Sequence, residues 1–399
     1  MSFFVVLVNY EIFIKMYKNQ NQKEKGMQRI PIDQMKPGMI TARPVIGSEG
    51  KTLLAPNSEM TDSYISRLAR LGVGSIYIKD GLDDIEILDV VEDDVKAAVT
   101  ANLQKTLKNF STNQSLDIAA FKKGVEMLLE SILRNRNHLL QLEEIHVFSD
   151  FILNHSINVA VYAMITGISL GYTEAKLADL GLGALLHDIG MVVIDPKIIN
   201  STEALTELER KQITLHPKVG FNILHNQNHV SSLIAHVAFQ HHERIDGSGY
   251  PRQLTGEQML DYARIVAVVD TFDAMVSDRP YRPGCTTTDA LAEIKSLSGK
   301  HFDHEIVEAF SSNIASYPIG SLLSLNTGHI AMVRSVTKFN KDRPVITVIA
   351  DETGAFIKPK YEIDLNRSSE VGIVRRINNE ETEAIKNRMR IENQKAHTG

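Results

Sequence analysis

The sequence predicts a mainly helical protein in which a compact bundle is set between a small α+β module and a small β unit. Three observations predict it. Apolar residues recur at the helical period from about residue 147 to 317, with short connections between the runs. Before residue 80, short apolar pieces are broken by turn-forming words such as Pro37-Gly38 and Gly47-Ser48-Glu49-Gly50. After Pro318 the pattern changes to β-rich runs, with Leu322, Leu323 and Leu325, then Ile330 to Val336, then Val345 to Ile349. Asn326-Thr327-Gly328 and Asn340-Lys341-Asp342 separate them as hairpin turns would.

In chain order, residues 1–28 read as a disordered extension. The apolar pieces Phe3 to Val8 and Ile12 to Ile14 are interrupted by Asn9, Tyr10 and Glu11. They fall short of the roughly 20 apolar residues a spanning helix needs. No basic region precedes them and no small-residue cleavage site follows, so a signal peptide is not expected. Residues 29–81 form the small α+β module. There Thr61 is placed to cap a helix carrying Ile65, Leu68, Ala69 and Leu71, Gly72 to end it, and Ser75-Ile76-Tyr77-Ile78 to form a strand.

Residues 82–146 read as a charged helical connector, with Val91, Val95, Ala98, Val99, Leu103 and Leu107 near the helical period, and then Phe121, Val125, Leu128, Leu129 and Ile132. Helices of this kind join an input module to an output module, pair with a second copy of the chain, or simply act as a solvated spacer. Residues 82–142 are therefore the candidate homodimer surface, and signalling proteins are the candidate partners. Residues 147–317 contain about seven helical runs, ending near Leu170, Leu186, Leu224, Gln240, Val276, Leu297 and Ile314. Residues 318–377 are the β unit, and 378–399 a charged tail that frays or stays disordered.

Composition narrows the function. Hydrophobic content of 43% and charged content of 23% are those of an ordinary globular protein with ample core. A formal charge of −6 argues against a binder of nucleic-acid polymers, though bound cations would still let the chain take an anionic small molecule. The single Cys285 excludes an internal disulfide and a thiolate-only metal site, which fits a reducing compartment. With no membrane span in view, the expected location is the cytoplasm.

The chemistry gathers around Leu185-Leu186-His187-Asp188-Ile189-Gly190, where an apolar helix runs into an imidazole beside a carboxylate. Packing alone gives no reason for that pair, because buried polar groups are costly unless paired or metal-bound. Asp270 lies inside the apolar run Ile265 to Val269, a costly place for an unpaired carboxylate. His155 shares a helical pattern with Ile152, Val159 and Ala163, and His216 and the doublet His241-His242 lie in other helical runs. Such a set suits two divalent ions: Asp188 can bridge them, with His155 and Asp270 completing one site and His216, His241 and His242 the other. Imidazole and carboxylate together suit iron(II), manganese or zinc without choosing among them.

Two further words stand out. His241-His242-Glu243-Arg244-Ile245-Asp246-Gly247-Ser248-Gly249-Tyr250-Pro251 predicts a shaped loop beside the ligands, with Gly247 and Gly249 allowing unusual backbone angles, Pro251 stiffening the exit and Tyr250 available to a substrate. Asp273 lies one turn beyond Asp270 on the same helix face, and Arg279 and Arg282 then supply planar cations suited to phosphate oxygens. His138, His146, His225, His229, His236, His301 and His304 read as packing or surface residues.

On these words, residues from about 145 to 320 resemble the HD-GYP family, the bacterial branch of HD-domain phosphohydrolases that cleaves cyclic di-GMP. The words are His187-Asp188-Ile189-Gly190, His216-Pro217 with Gly220, His241-His242-Glu243, Gly249-Tyr250-Pro251, and Asp270 with Arg279-Pro280-Tyr281-Arg282. The segment from Arg29 to Asp80 is similar to the small domain often found ahead of such domains, and the β unit to the extension that often follows them.

The resemblance implies an HD-type helical bundle and a metal-dependent phosphodiesterase producing linear pGpG, with GMP as an open second product. It implies two divalent ions, Fe2+ or Mn2+ ahead of Zn2+ or Mg2+, held by His155, His187, Asp188, His216, His241, His242 and Asp270. His187 and Asp188 would be the catalytic pair, and Gly249, Tyr250, Pro251, Asp273, Arg279 and Arg282 would face the cyclic dinucleotide. Two departures from the family pattern matter. Met191 stands where the family usually has a lysine thought to contact the scissile phosphate. Phe151 stands where members with a third metal carry Glu, which leaves two metals as the expectation and Asp150 as an outside candidate. Met191 keeps open a sensor or scaffold that binds cyclic di-GMP without turnover. An HD phosphohydrolase acting on another nucleotide is the remaining reading.

Overall fold

The computed structural model describes residues 27–32, 35–46, 52–71, 73, 75–79, 90–113, 116–140, 151–199, 206–277, 285, 287–378, 381–382, 384–385 and 388. Of the expected extension 1–28, residues 1–26 lie outside them, as do His146 and Asp150, while Met27 and Gln28 open the first strand.

In the first module, β1 (Met27–Pro31) pairs antiparallel with β4 (Ser75–Lys79), and β2 (Val45–Ile46) with β3 (Thr52–Leu54). Between them lies α1 (Asp62–Arg70), whose first turn is capped by the Thr61 hydroxyl accepting from the Tyr64 amide. Leu68, Met60, Val73, Ile76 and Ile78 close a core belonging to this module alone.

The helices expected to act as a connector do something else. α2 (Asp93–Asn113) and α3 (Ile118–Arg134) pack against each other and against the bundle. Val99, Leu103, Phe121, Val125, Leu128 and Ile132 belong to the same hydrophobic core as the helices that follow. The apolar stripe read as a spacer or dimer face is thus consumed inside the chain. A helical period reports that a face is buried, not what buries it.

The bundle is built on two central helices, α4 (Phe151–Ser169) and α10 (Asp261–Val276), which pack against each other. α4 is buried continuously from Ser156 to Ile165, which explains why its apolar residues show no single face. Around this pair lie α5 (Glu174–Leu185), α8 (His216–His225), α9 (Ser232–Gln240), α11 (Thr287–Ser296) and α12 (His304–Ser311). These seven account for the seven runs seen in the sequence. The short helices α6 (Pro196–Ile199) and α7 (Glu207–Ile213) were not among them; α7 has no buried residue, so no apolar stripe announces it.

The β unit is one antiparallel sheet in the order β8-β7-β6-β5-β9. Strands β5 (Leu322–Leu325), β6 (Ile330–Ser335) and β7 (Val345–Ala350) lie where the apolar runs predict. Strands β8 (Phe356–Asp364) and β9 (Ile373–Arg376) gave no such run because they are the two edges. Edge strands tolerate charges and proline, and β8 carries Pro359. Ile385, expected in a loose tail, is buried in this unit's core together with Leu139 from the end of the α3 segment. Leu140 also exchanges backbone hydrogen bonds with Asn313 and Ala315, joining bundle to sheet.

Candidate metal centre

Seven side chains from five places in the bundle meet at one point. His155 comes from the second turn of α4 and Asp270 from the middle of α10. His187 and Asp188 follow the end of α5, His216 opens α8 after a short break from α7, and His241 and His242 follow the end of α9. The donor atoms of Asp188, His216, His241 and His242 lie within 4.8 Å of one another, and so do those of His155, His187 and Asp188.

The two carboxylates are shared between opposite sides. Asp188 Oδ1 is 3.1 Å from His216 Nε2 and 3.5 Å from His241 Nε2, while its Oδ2 is 3.5 Å from His187 Nε2 and 3.9 Å from His155 Nε2. Asp270 repeats the pattern: Oδ1 is 3.1 Å from His155 Nε2, and Oδ2 is 3.7 Å from His242 Nδ1. A carboxylate with each oxygen facing a different group of imidazoles is placed to join two cation positions.

The histidines are oriented from behind. His187 Nδ1–H donates to the Ala184 carbonyl at 2.7 Å, His216 to Ile213 at 2.7 Å, and His241 to Ala238 at 2.9 Å. Each of these carbonyls lies in the last turn of a helix, where no intrahelical partner remains. Fixing the proton on Nδ1 leaves the Nε2 lone pair facing inward, as a metal-binding imidazole requires. His216 and His241 Nε2 then stand 3.1 Å apart. His187 Nε2 is fully buried with no hydrogen-bond partner. Opposed lone pairs and an orphaned buried nitrogen are what a cation resolves, so the residues present fit a divalent metal.

Protonation follows the same logic. Burial works against a charge on His155, but its hydrogen bonds to the Asp270 and Asp273 carboxylates outweigh it and push its pKa up to about 10. Burial holds His187 down at about 4, against the attraction of Asp188. Asp188 and Asp270 lie well below the usual carboxylate range, because the surrounding histidines overcome the cost of burial.

Two glycines set the shape. A Cβ on Gly190 would stand 2.1 Å from the His216 carbonyl oxygen and 2.7 Å from the Gly220 amide, so only glycine lets the turn after Asp188 reach the start of α8. Gly249 was expected to supply an unusual backbone angle or face the substrate. It is buried instead, and a Cβ there would come within 2.4 Å of Glu243 Cα and the Arg244 amide. It is Gly247, at φ +80°, that takes the left-handed angle. Tyr250 lies with its ring 4.8 Å from His242, and burial followed by Asp188 and Asp270 raises its pKa. Pro251 is exposed after a cis peptide bond.

Asp273 does not stand where the sequence reading put it. It is fully buried, with Oδ2 2.6 Å from His155 Nδ1, so it lies behind a ligand and not on a surface open to substrate. Arg279 and Arg282 lie outside the described residues. Glu243, quoted in the sequence only as part of a word, turns out to hold the loop: its two oxygens accept from the amides of Arg252 at 2.7 Å and Leu254 at 3.0 Å. The sequence hint was a carboxylate directly after two histidines at the end of a buried helix. Of the remaining histidines, His225 stacks on Phe221, His236 packs beside it, and His304 meets Ser298.

A helical bundle that turns five imidazoles and two carboxylates toward common points defines a metal-binding helical domain. Residues 127–306 match the HD domain family, and residues 322–385 match the KOW domain associated with the HD domain. An HD domain thus occupies residues 127–306, followed by the small unit that accompanies such domains. The HD match begins within α3, earlier than residue 147, in keeping with the shared core.

The chain is 31% identical over 275 residues to the cyclic di-GMP phosphodiesterase PA4108 of Pseudomonas aeruginosa, covering 69% of this chain and 65% of that protein. It is 30% identical over 242 residues to the cyclic di-GMP phosphodiesterase PdeB of Borreliella burgdorferi, covering 59% and 62%. Over 142 residues it is 43% identical to a cyclic di-GMP phosphodiesterase of Thermotoga maritima, covering 35% and 39%. The chain thus spans less than two thirds of the length of these relatives. Among the described residues, no helix is long and apolar enough to cross a membrane.

Proposed function

We propose that the chain is a metal-dependent phosphodiesterase that hydrolyses cyclic di-GMP to linear pGpG in bacterial second-messenger signalling. The observation that carries this is the division of Asp188 and Asp270, each with one oxygen toward either side of the cluster. Two divalent ions, Fe2+ or Mn2+, fit it. His155, His187, Asp188 and Asp270 would hold one, and His216, His241 and His242 the other with Asp188 shared. When bound, such ions lower the pKa of water and offset charge on phosphoryl oxygens.

The chain's own residues supply the rest. The buried Nδ1–H bonds keep the imidazoles from turning, so the ligand set is preorganised before substrate arrives. Tyr250, seated beside His242, is placed to hold a guanine or phosphate at the mouth. Arg279 and Arg282 are the candidate phosphate clamps. The names of the relatives support a cyclic dinucleotide as substrate. The single cysteine supports a cytoplasmic setting.

The test is product formation. Protein loaded with Mn2+ or Fe2+ and mixed with cyclic di-GMP should yield pGpG, and His187→Ala should not. Failure of the fully loaded protein to yield product would reject the reading. Met191, in the turn directly after Asp188 with its amide bonded to the Asp188 carbonyl, favours one alternative, a sensor that binds without cleaving. Equal nucleotide binding by wild type and His187→Ala, with turnover by neither, would select it.

A further inference from the structure

His155 differs from His187, His216 and His241 in what stands behind it. His187, His216 and His241 each follow a helix end and donate to a helix-end carbonyl three residues back. His155 lies inside α4, where the carbonyls toward the helix interior are engaged in the helix itself. Its Nδ1 instead meets the carboxylate of Asp273 at 2.6 Å. Asp270 and Asp273 are three residues apart on one face of α10, and they meet the imidazole at both nitrogens: Asp270 Oδ1 faces Nε2 at 3.1 Å. Asp273 is held in turn. Its Oδ1 accepts from Asn158 Nδ2 at 3.1 Å, and its Oδ2 from the Ser277 hydroxyl at 3.1 Å. Asn158 lies three residues after His155 on α4, so the two helices exchange reciprocal contacts in a buried layer beneath the cluster.

We propose that Asp273 is a positioning residue for His155, locked by Asn158, and does not touch substrate. This rests on the metal-dependent reading of the centre. A carboxylate on Nδ1–H fixes the ring, selects the tautomer with Nε2 inward and makes that nitrogen a stronger donor. Losing such a partner typically weakens metal binding about 10–100-fold.

The test is titration of the metal-free full chain with Mn2+, following free Mn2+ by its electron paramagnetic resonance signal, with KM and kcat for cyclic di-GMP measured at saturating Mn2+. Asp273→Ala should bind one Mn2+ about 10–100-fold more weakly than wild type. Asp273→Asn keeps an oxygen for His155, while the Asn158 amide can turn to match it, so it should restore part of the loss. Asn158→Leu should weaken the same Mn2+ by less than Asp273→Ala. Excess Mn2+ should recover kcat with KM unchanged. Wild-type Mn2+ affinity in Asp273→Ala, or a raised KM at full metal occupancy, would overturn the proposal. Should Asp273→Ala fail to fold, wild-type affinity in both Asp273→Asn and Asn158→Leu would overturn it equally. A wild-type protein that binds Mn2+ yet leaves cyclic di-GMP intact would sink the phosphodiesterase reading, while the ranking of affinities would still judge this one.

Discussion

Replacing Glu243 should loosen the loop beside the metal centre at a cost that can be worked out bond by bond. The side chain is fully buried and each oxygen accepts one backbone amide, from Arg252 at 2.7 Å and from Leu254 at 3.0 Å. Hydrogen bonds to a charged group contribute about 1.5–3 kcal/mol each. Glu243→Ala removes both, and no water-filled surface is at hand for the Leu254 amide, since Leu254 is buried too. Its expected cost is about 3–6 kcal/mol, the sum of the two bonds. Glu243→Gln keeps one acceptor oxygen and turns an amide donor toward the other amide, so it should lose about 1.5–3 kcal/mol. The chain has no tryptophan, so urea unfolding is best followed by far-ultraviolet circular dichroism. A cost for Glu243→Ala within about 0.5 kcal/mol of zero, the range of ordinary surface changes, would refute the reasoning. So would a Gln variant that is as damaged as the Ala variant, because the two differ in the acceptor oxygen that Gln retains.

Gly190→Ala should push the start of α8 away from Asp188, since its Cβ would overlap the His216 carbonyl; we expect at least about 1–3 kcal/mol of destabilisation and weaker metal binding, read by unfolding and metal analysis. Phe121→Ala should cost about 3–5 kcal/mol in unfolding experiments without changing the oligomeric state, because Phe121 is only 2% exposed within the chain's own core. The metal-free protein should be most stable near pH 6.5, the ordinary histidine value. His155, raised to about 10, contributes stability that is present below 6.5 and lost as pH rises toward 10. His187, lowered to about 4, contributes stability that is present above 6.5 and lost as pH falls toward 4. Metal loading should shift the optimum upward, since a cation replaces the proton on His155 Nε2; melting curves across pH with and without Mn2+ check both signs.

The sequence carried the centre more readily than its surroundings. His187-Asp188 and the mid-helix Asp270 were legible because a buried charge needs a partner, and that cost is local to the residue. The role of Asp273 was not, because helical spacing places it on the same face as Asp270 without saying which of the two lies deeper. Packing of α4 decides that: Asp270 reaches the Nε2 side of His155 and Asp273 the Nδ1 side. Glu243 was hidden for a similar reason, as its partners are backbone amides 9 and 11 residues away in a loop whose path no periodicity describes. The connector failed differently. Its apolar stripe suited a solvated spacer, a linker or a pairing face alike, because a stripe does not name its partner, and here the partner is the bundle itself.

One feature of the ligands was local enough to be read in advance. His187 and His241 each come directly after the last turn of a helix, and His216 follows α7 after a short break. Each takes the carbonyl three residues back. A helix end leaves its last carbonyls unpaired and carries roughly half a negative charge. An imidazole at that position therefore gains an acceptor that fixes its tautomer, and the ends of α5, α7 and α9 bring three partial negative charges to the region where cations are to be held. The geometry needs no distant residue to specify it, only a histidine at the right offset from a helix stop. His155 has no helix end behind it, and it is there that the chain brings a full carboxylate from another helix. The same demand, an acceptor behind the imidazole, is thus met by backbone for His187, His216 and His241 and by Asp273 for His155.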